Sequence, residues 1–398
     1  MMRTFAFASL APAVVLIAAS LFGGVWPALA LTFITVMVFL LDKLTGDDWA
    51  LPTDATGNGL SMLLGFTHFA VLGTVVWAVG GGVALTLLDQ ALILAGAGLW
   101  MGQVSNSNAH ELIHRTTHVP CRLGVAIYSS LFFGHHASAH PKVHHINAAT
   151  DKDPNSARPD EGFYSFAWRA WSGSYGAGLR AENMARARAA KILPAWRHPY
   201  LGYGLGTLAS LLAAFALAGL GGVVVLCILA LYATLQLLLS DYVQHYGLRR
   251  TILADGRPEP IGPHHAWNAP HWYSSAMMLN APRHSDHHMH PARTFPALEL
   301  SKTDMPMLPQ SLPMMAVIAL FPPIWKKMMN PRVAEWTNRP ARRKTAQDIA
   351  PKTLAAARKG GLPNRNMPVW DYDKTQSGPS HSDAEHTGSS RTDERRGV

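Results

Sequence analysis

Twenty histidines stand in this chain, none of them before His68, and eight of them form three short groups. His110-Glu111-Leu112-Ile113-His114 places two imidazoles four residues apart. On a helix that spacing puts both on one face about a turn apart, where they can reach one metal ion. His140-Pro141-Lys142-Val143-His144-His145 reads H-x₃-HH, and His284-Ser285-Asp286-His287-His288 reads H-x₂-HH. A further histidine, His245, sits in Asp241-Tyr242-Val243-Gln244-His245-Tyr246-Gly247.

Each signal alone is weak, because isolated histidines are usually packed or solvated and HExxH is best known from zinc proteases. Together the three groups offer eight ligands, and His245 makes nine. One zinc ion takes three or four, so the surplus points to two metals. Imidazole suits iron, copper and zinc alike, so ligand type alone does not choose among them. An intramembrane zinc protease would use Glu111 as its base and needs a distant acidic ligand within a span. Asp255-Gly256 stands in a polar loop, and that reading leaves seven histidines idle. A metal transporter would place its ligands near the bilayer midplane, whereas these histidines gather beyond the span ends, on one side.

The elements that must position them are apolar. Of 398 residues 48% are hydrophobic and 15% charged, against ~25% charged in soluble domains. No Lys, Arg, Asp or Glu occurs from Phe5 to Leu41, and from Leu51 to Ser107 only Asp54 and Asp89 are charged. A bilayer span needs ~20 apolar residues. Six spans are expected, at about 5–22, 26–41, 59–79, 83–104, 201–219 and 222–241. Glycine-rich turns at Gly23-Gly24, Gly80-Gly81-Gly82 and Gly219-Leu220-Gly221-Gly222 pair them as hairpins, since glycine accepts positive φ. The predicted fold class is an all-α integral membrane protein, six transmembrane helices in three hairpins with a cytoplasmic histidine-rich cap. No hairpin turn carries Lys or Arg. By the positive-inside rule the basic segments and both termini are cytoplasmic, and the formal charge of +9 belongs to one face. That charge sets topology first, offers a surface to an acidic partner second, and calls for no nucleic acid. The N-terminus reads as an anchor. Ser311–Trp325, broken by Pro322-Pro323, reads as interfacial or buried, not as a seventh span. Residues 1–337 form the expected membrane domain; 338–398 is a polar tail whose end is expected to be disordered. Cys121 and Cys227 are too few for a disulfide framework or an iron–sulfur centre, and Cys227 is expected in packing.

The order of the histidine groups is similar to that of the membrane fatty-acid desaturase and hydroxylase superfamily. Within it His110-Glu-Leu-Ile-His-Arg, Asp241-Tyr-Val-Gln-His-Tyr-Gly-Leu and Asn280-Ala-Pro-Arg-His-Ser-Asp-His-His resemble the bacterial alkane 1-monooxygenases. So does Leu41-Asp-Lys-Leu-Thr-Gly-Asp-Asp, while His265-Ala-Trp-Asn resembles their xylene-monooxygenase relatives. The likeness covers roughly 30–335. It implies a six-helix bundle with a di-iron site at the cytoplasmic end of a hydrophobic pocket, held by His110, His114, His140, His144, His145, His245, His284, His287 and His288. His135 matches a further family histidine without a ligand role assigned; His136, His264, His265, His271 and His290 read equally as packing or support. At two positions the family's Glu is lost, Ala139 and Gln244 standing where it usually precedes a ligand, and at a third Asp241 replaces Asn. A carboxylate beside a ligating imidazole orients it and raises its basicity, so these changes bear on metal affinity and substrate range.

The resemblance implies terminal hydroxylation of medium- or long-chain alkanes in a bacterial inner membrane, with xylene-type methylarene hydroxylation or acyl-lipid desaturation and hydroxylation as alternatives. An alkane has no polar handle, and a methylene is worth only ~1–3 kcal/mol in discrimination, so a broad chain-length range is expected. No GxGxxG opens a helix after a strand, so no flavin or nicotinamide site is expected. Electrons are expected from a rubredoxin or ferredoxin with its NAD(P)H reductase.

Overall fold

A computed structural model describes residues 2–47, 53, 55–191 and 193–339. Among these residues the chain is all-helical, with no strand and three isolated bridges. Five helices are long and apolar enough to cross a membrane: α1 (Met2–Phe22), α2 (Val25–Thr45), α3 (Asn58–Gly82), α4 (Leu87–Ile113) and a 47-residue helix, Pro199–His245. Between α4 and the last of these lie α5 (His118–Ser130), a helical run over 136–147 that we call α6, and α7 (Phe163–Ala187). The 47-residue helix is α8. After it come α9 (Trp272–Met277), α10 (His284–Met289), α11 (Leu312–Ala319) and α12 (Pro322–Asn338).

The turn between α1 and α2 is made by Gly23 and Gly24 at φ 59° and 64°, which side chains bearing a Cβ rarely adopt. Thr86 caps α4, its hydroxyl accepting from the Asp89 amide while Asp89 accepts from the Thr86 amide. That reciprocal pair explains how Asp89 is tolerated in an apolar helix.

One boundary differs from expectation. The fourth helix runs on to Ile113, so His110 lies on its last turns and not past its end. The expected fifth and sixth spans fall in α8, whose backbone leaves the helical region at Ala218 and Gly219, at the edge of the expected turn. At that break Gly222 lies against the Ala214 carbonyl, eight residues earlier, where a straight helix would separate them by ~12 Å. Both ends of α8 reach the same cap: Tyr203 Oη is 2.6 Å from Ser138 Oγ, and Asn155 Nδ2 donates to Asp241 Oδ2 at 2.7 Å.

The core follows the inward faces of the long helices, including Leu16, Val71, Ile93, Trp100 and Leu229. Their outward faces expose Phe7, Val14, Phe66, Leu205, Leu212 and Phe215. An apolar surface of that extent suits lipid rather than water, and the chain is a membrane protein. Cys227 is on this outward face, not in the packing; the one-dimensional apolar run hides which side of the helix it takes. The 311–325 stretch forms α11 and the start of α12, too short to span, with Leu312, Met315 and Trp325 buried. The tail beyond Arg339 lies outside the described residues.

Candidate metal centre

Nine histidines from four elements converge beneath this cap. His110 is on α4 and His114 caps it; His140, His144 and His145 are on α6; His245 ends α8; His284, His287 and His288 are on α10. They form two neighbouring groups, one of His110, His114, His140, His145 and His287, the other of His144, His245, His284 and His288. Within each group the ligand atoms all lie within 4.8 Å of one another.

Helix geometry explains this sorting. In α10 the α-helical repeat aligns residues four apart, so His284 and His288 share the second group while His287 turns to the first. In α6 the stretch His140–His144 is a π-turn, which closes at i→i+5 and so aligns residues five apart. His140 and His145 therefore meet in the first group, Nε2 to Nε2 at 2.9 Å. His144, which an ordinary helix would align with His140, goes to the second.

The donor geometry fits metal ions. Nε2 atoms of His245, His284 and His288 form a triangle with edges of 2.9, 3.0 and 3.2 Å. Donors ~2.1 Å from an imidazole-bound ion at right angles stand about 3 Å apart, and three neutral imidazoles cannot satisfy one another with one N–H each. In the first group His110–His140 and His145–His287 Nε2 pairs stand at 2.7 and 3.1 Å. His114 Nε2 and His144 Nε2 are buried with no hydrogen-bond partner. All nine donors are imidazole nitrogens, with no carboxylate in either group.

Electrostatics favour the same use. Burial, then neighbouring imidazoles, holds His140, His145, His284, His287 and His288 well below the usual histidine range, and burial takes His114 to about 3. These rings are neutral at physiological pH and present a lone pair. Burial pulls His144 down as well, but Asp153 and then Asp241 outweigh it and its pKa is raised. His144 Nδ1 lies 2.8 Å from Asp153 Oδ2, which fixes the ring and leaves Nε2 for the group.

The two departures take different forms. Ala139 is buried, and His140 Nδ1 and His245 Nδ1 are buried without a hydrogen-bond partner. Gln244 accepts from Ser240 and donates to the Ala281 carbonyl at 3.0 Å. Asp241 helps line a cavity of about 50 Å³ with Gln244, Tyr128, Leu237 and Met278. That cavity touches His110 and His140 of one group and His284 of the other.

The remaining histidines are placed apart. His135 meets Ser174, with burial holding it near about 4. His136 stacks on Phe133 and faces the cavity. His290 meets Asp286, which also binds Arg293 and the Glu299 amide. His271 pairs by backbone with Asp47. His264 and His265 cluster with Glu259, but His265 Nδ1 accepts from the Gly262 amide, so its Nε2–H donates to Glu259. With both its nitrogens engaged, His265 clips this loop to Glu259. Glu111 binds Arg115 at 2.6 Å and the Phe295 amide, engaged away from the metal groups and unlike a protease base. Sequence reasoning missed Asp153; its only signal is an acidic residue a short loop beyond the H-x₃-HH group.

The family model described as "Fatty acid desaturase" matches residues 85–317, which hold all nine histidines. The chain belongs to that family. It is 32% identical over 305 residues to alkane 1-monooxygenase 1 of Pseudomonas aeruginosa, covering 74% of this chain and 79% of that one. It is 29% identical over 324 residues to alkane 1-monooxygenase 1 of Alcanivorax borkumensis, covering 79% and 80%. The xylene/toluene monooxygenase hydroxylase component of Pseudomonas putida is 27% identical over 369 residues, 86% of this chain and 91% of that one. Its place in the family is thus with the alkane 1-monooxygenases, as an oxygen-dependent monooxygenase.

Proposed function

We propose that this protein hydroxylates the terminal carbon of medium- and long-chain alkanes, consuming one dioxygen, two electrons and two protons to yield a 1-alkanol and water. The observation that carries the reading is the convergence of nine imidazoles in two adjoining groups against one small cavity. His110, His114, His140, His145 and His287 would hold one iron ion and His144, His245, His284 and His288 the other; together they would supply activation of dioxygen.

The chain's own residues do the rest. Asp153 holds His144 in one orientation. Tyr128, Leu237 and Met278 wall the cavity and keep bulk water from the reacting carbon. About 50 Å³ has room for a dioxygen-sized molecule, since a water needs ~10–15 Å³ on the same measure.

In this reading residues 1–337 form one membrane domain with six spans. An unbroken 47-residue helix would be ~70 Å long, more than twice the ~30 Å hydrocarbon core, so α8 supplies two spans that turn at Ala218-Gly219. The protein sits in the bacterial inner membrane with both termini and the histidine cap in the cytoplasm. Electrons come from a rubredoxin, or a ferredoxin, reduced by an NAD(P)H reductase.

The likeness to the xylene/toluene component over 86% of this chain supports methylarenes as the second reading. Membranes containing the protein, iron, rubredoxin, reductase and NADH are offered octane, hexadecane, p-xylene and a saturated acyl lipid under ¹⁸O₂. The expected product is labelled 1-alkanol, absent in His284→Ala. Labelled benzylic alcohol alone, or an unlabelled double bond, would replace the alkane reading.

A further inference from the structure

Two segments leave the metal groups for the surface and meet there. One begins at His144-His145, a histidine of each group, and continues into Ile146, 63% exposed. The other begins at His245 and runs through Arg249 and Arg250 to Ile252, 62% exposed. Backbone bonds tie them together: the Arg250 amide donates to Ala149 O at 2.9 Å and the Gly247 amide to Ala157 O at 3.1 Å. Between them is a surface cleft of about 350 Å³ whose charged lining is Arg158, Arg249, Arg250 and one acid, Asp151. Arg250 is fixed by its bond to Ile146 O at 3.0 Å, and Arg249 lies 3.7 Å from Asp151. Lys152 and Arg158 are exposed beside it.

This cleft does not suit the substrate, because an apolar chain gains nothing among guanidinium groups and already has the lipid-facing helices. A rigid basic rim with exposed isoleucines suits a transient protein partner, since charge steers encounter and the apolar contact seats it. We propose that the cleft formed by 146–158 and 247–252 is where an acidic one-electron carrier protein docks. The inference rests on the oxygenase reading and adds the carrier's place. Each docked carrier is oxidised by one electron. Two dockings furnish the pair that joins dioxygen and two protons in converting C–H to C–OH and water. The exposed end of the His144-His145 segment gives the electron a short covalent route inward.

The test measures affinity rather than turnover. The iron-loaded full chain in neutral-lipid nanodiscs is titrated with an acidic rubredoxin at low and high salt. Lys152→Glu with Arg158→Glu is expected to weaken binding about tenfold and remove most of its salt dependence. Lys191→Glu with Arg197→Glu, exposed basic residues of the loop before α8, is expected to stay within about twofold of the native chain. Equal losses in both double variants, or none in the first, would overturn the proposal, as would loss of anionic-lipid binding with carrier affinity intact. A native chain that binds rubredoxin with this charge dependence yet leaves octane untouched would refute the alkane reading and not the docking surface.

Discussion

At the scale of single residues, what sets the nine histidines apart from the other described histidines is the convergence of their ring nitrogens in two all-histidine groups. His135, His265 and His290 find protein partners. The nine turn Nε2 toward one another at spacings that suit a shared ion, or leave it buried without a partner. Their types and spacing were legible in the chain. Asp153 was not, because it acts from a loop whose path is fixed by its bonds to Ser156 and the Asn155 amide. Asp153→Asn keeps that shape and removes the charge that orients His144. Metal affinity is expected to fall ~10–100-fold, read by the rate at which a chelator strips iron, with helical content unchanged. Iron retained as tightly as in the native chain would leave Asp153 a purely structural role.

At the scale of elements, hydropathy and glycine runs located the long helices, but not how they continue past the apolar stretch. The π-turn at His140–His144 has no signature in a pattern read with an α-helical period, yet it decides which histidine joins which group. The register of α4 against α8 was equally hidden. It depends on glycines: a Cβ at Gly98 would run into the Tyr232 ring, and one at Gly102 into Gln236. Gln236 in turn donates to Gly98 O at 2.8 Å, and Asn106 to Ala233 O at 2.8 Å. Gly102→Leu is expected to cost about 1–3 kcal/mol by overpacking, seen as a lower melting temperature in detergent. Because Gly102 also lines the cavity, octane turnover should fall as well. An unchanged melting temperature would contradict the close approach of these helices.

At the scale of the whole molecule, the charge pattern and the break in α8 make one topological claim. Leu220, 76% exposed at the break, and Ile252, 62% exposed near the histidine cap, should lie on opposite sides of the membrane. In a chain without Cys121 and Cys227, Leu220→Cys is expected to react with an impermeant maleimide from the periplasmic side. Ile252→Cys should react only after permeabilisation. Labelling of both from one side would leave α8 without its two spans. The overall class was legible because a bilayer imposes length and charge rules on the sequence. The convergence of four distant segments on one point was legible only through the family resemblance, since spacing along the chain says nothing about which loops return to the same place.

If the nine histidines make two ion sites, the metal content of the protein follows. The full chain, purified in detergent and loaded anaerobically with iron, is expected to hold two tightly bound ions, with Mössbauer parameters of nitrogen-ligated non-haem iron. His245→Ala with His288→Ala strips half of the four-histidine group and should leave one. A single ion in the native chain, or two retained in the double variant, would contradict the division of His110, His114, His140, His145 and His287 from His144, His245, His284 and His288.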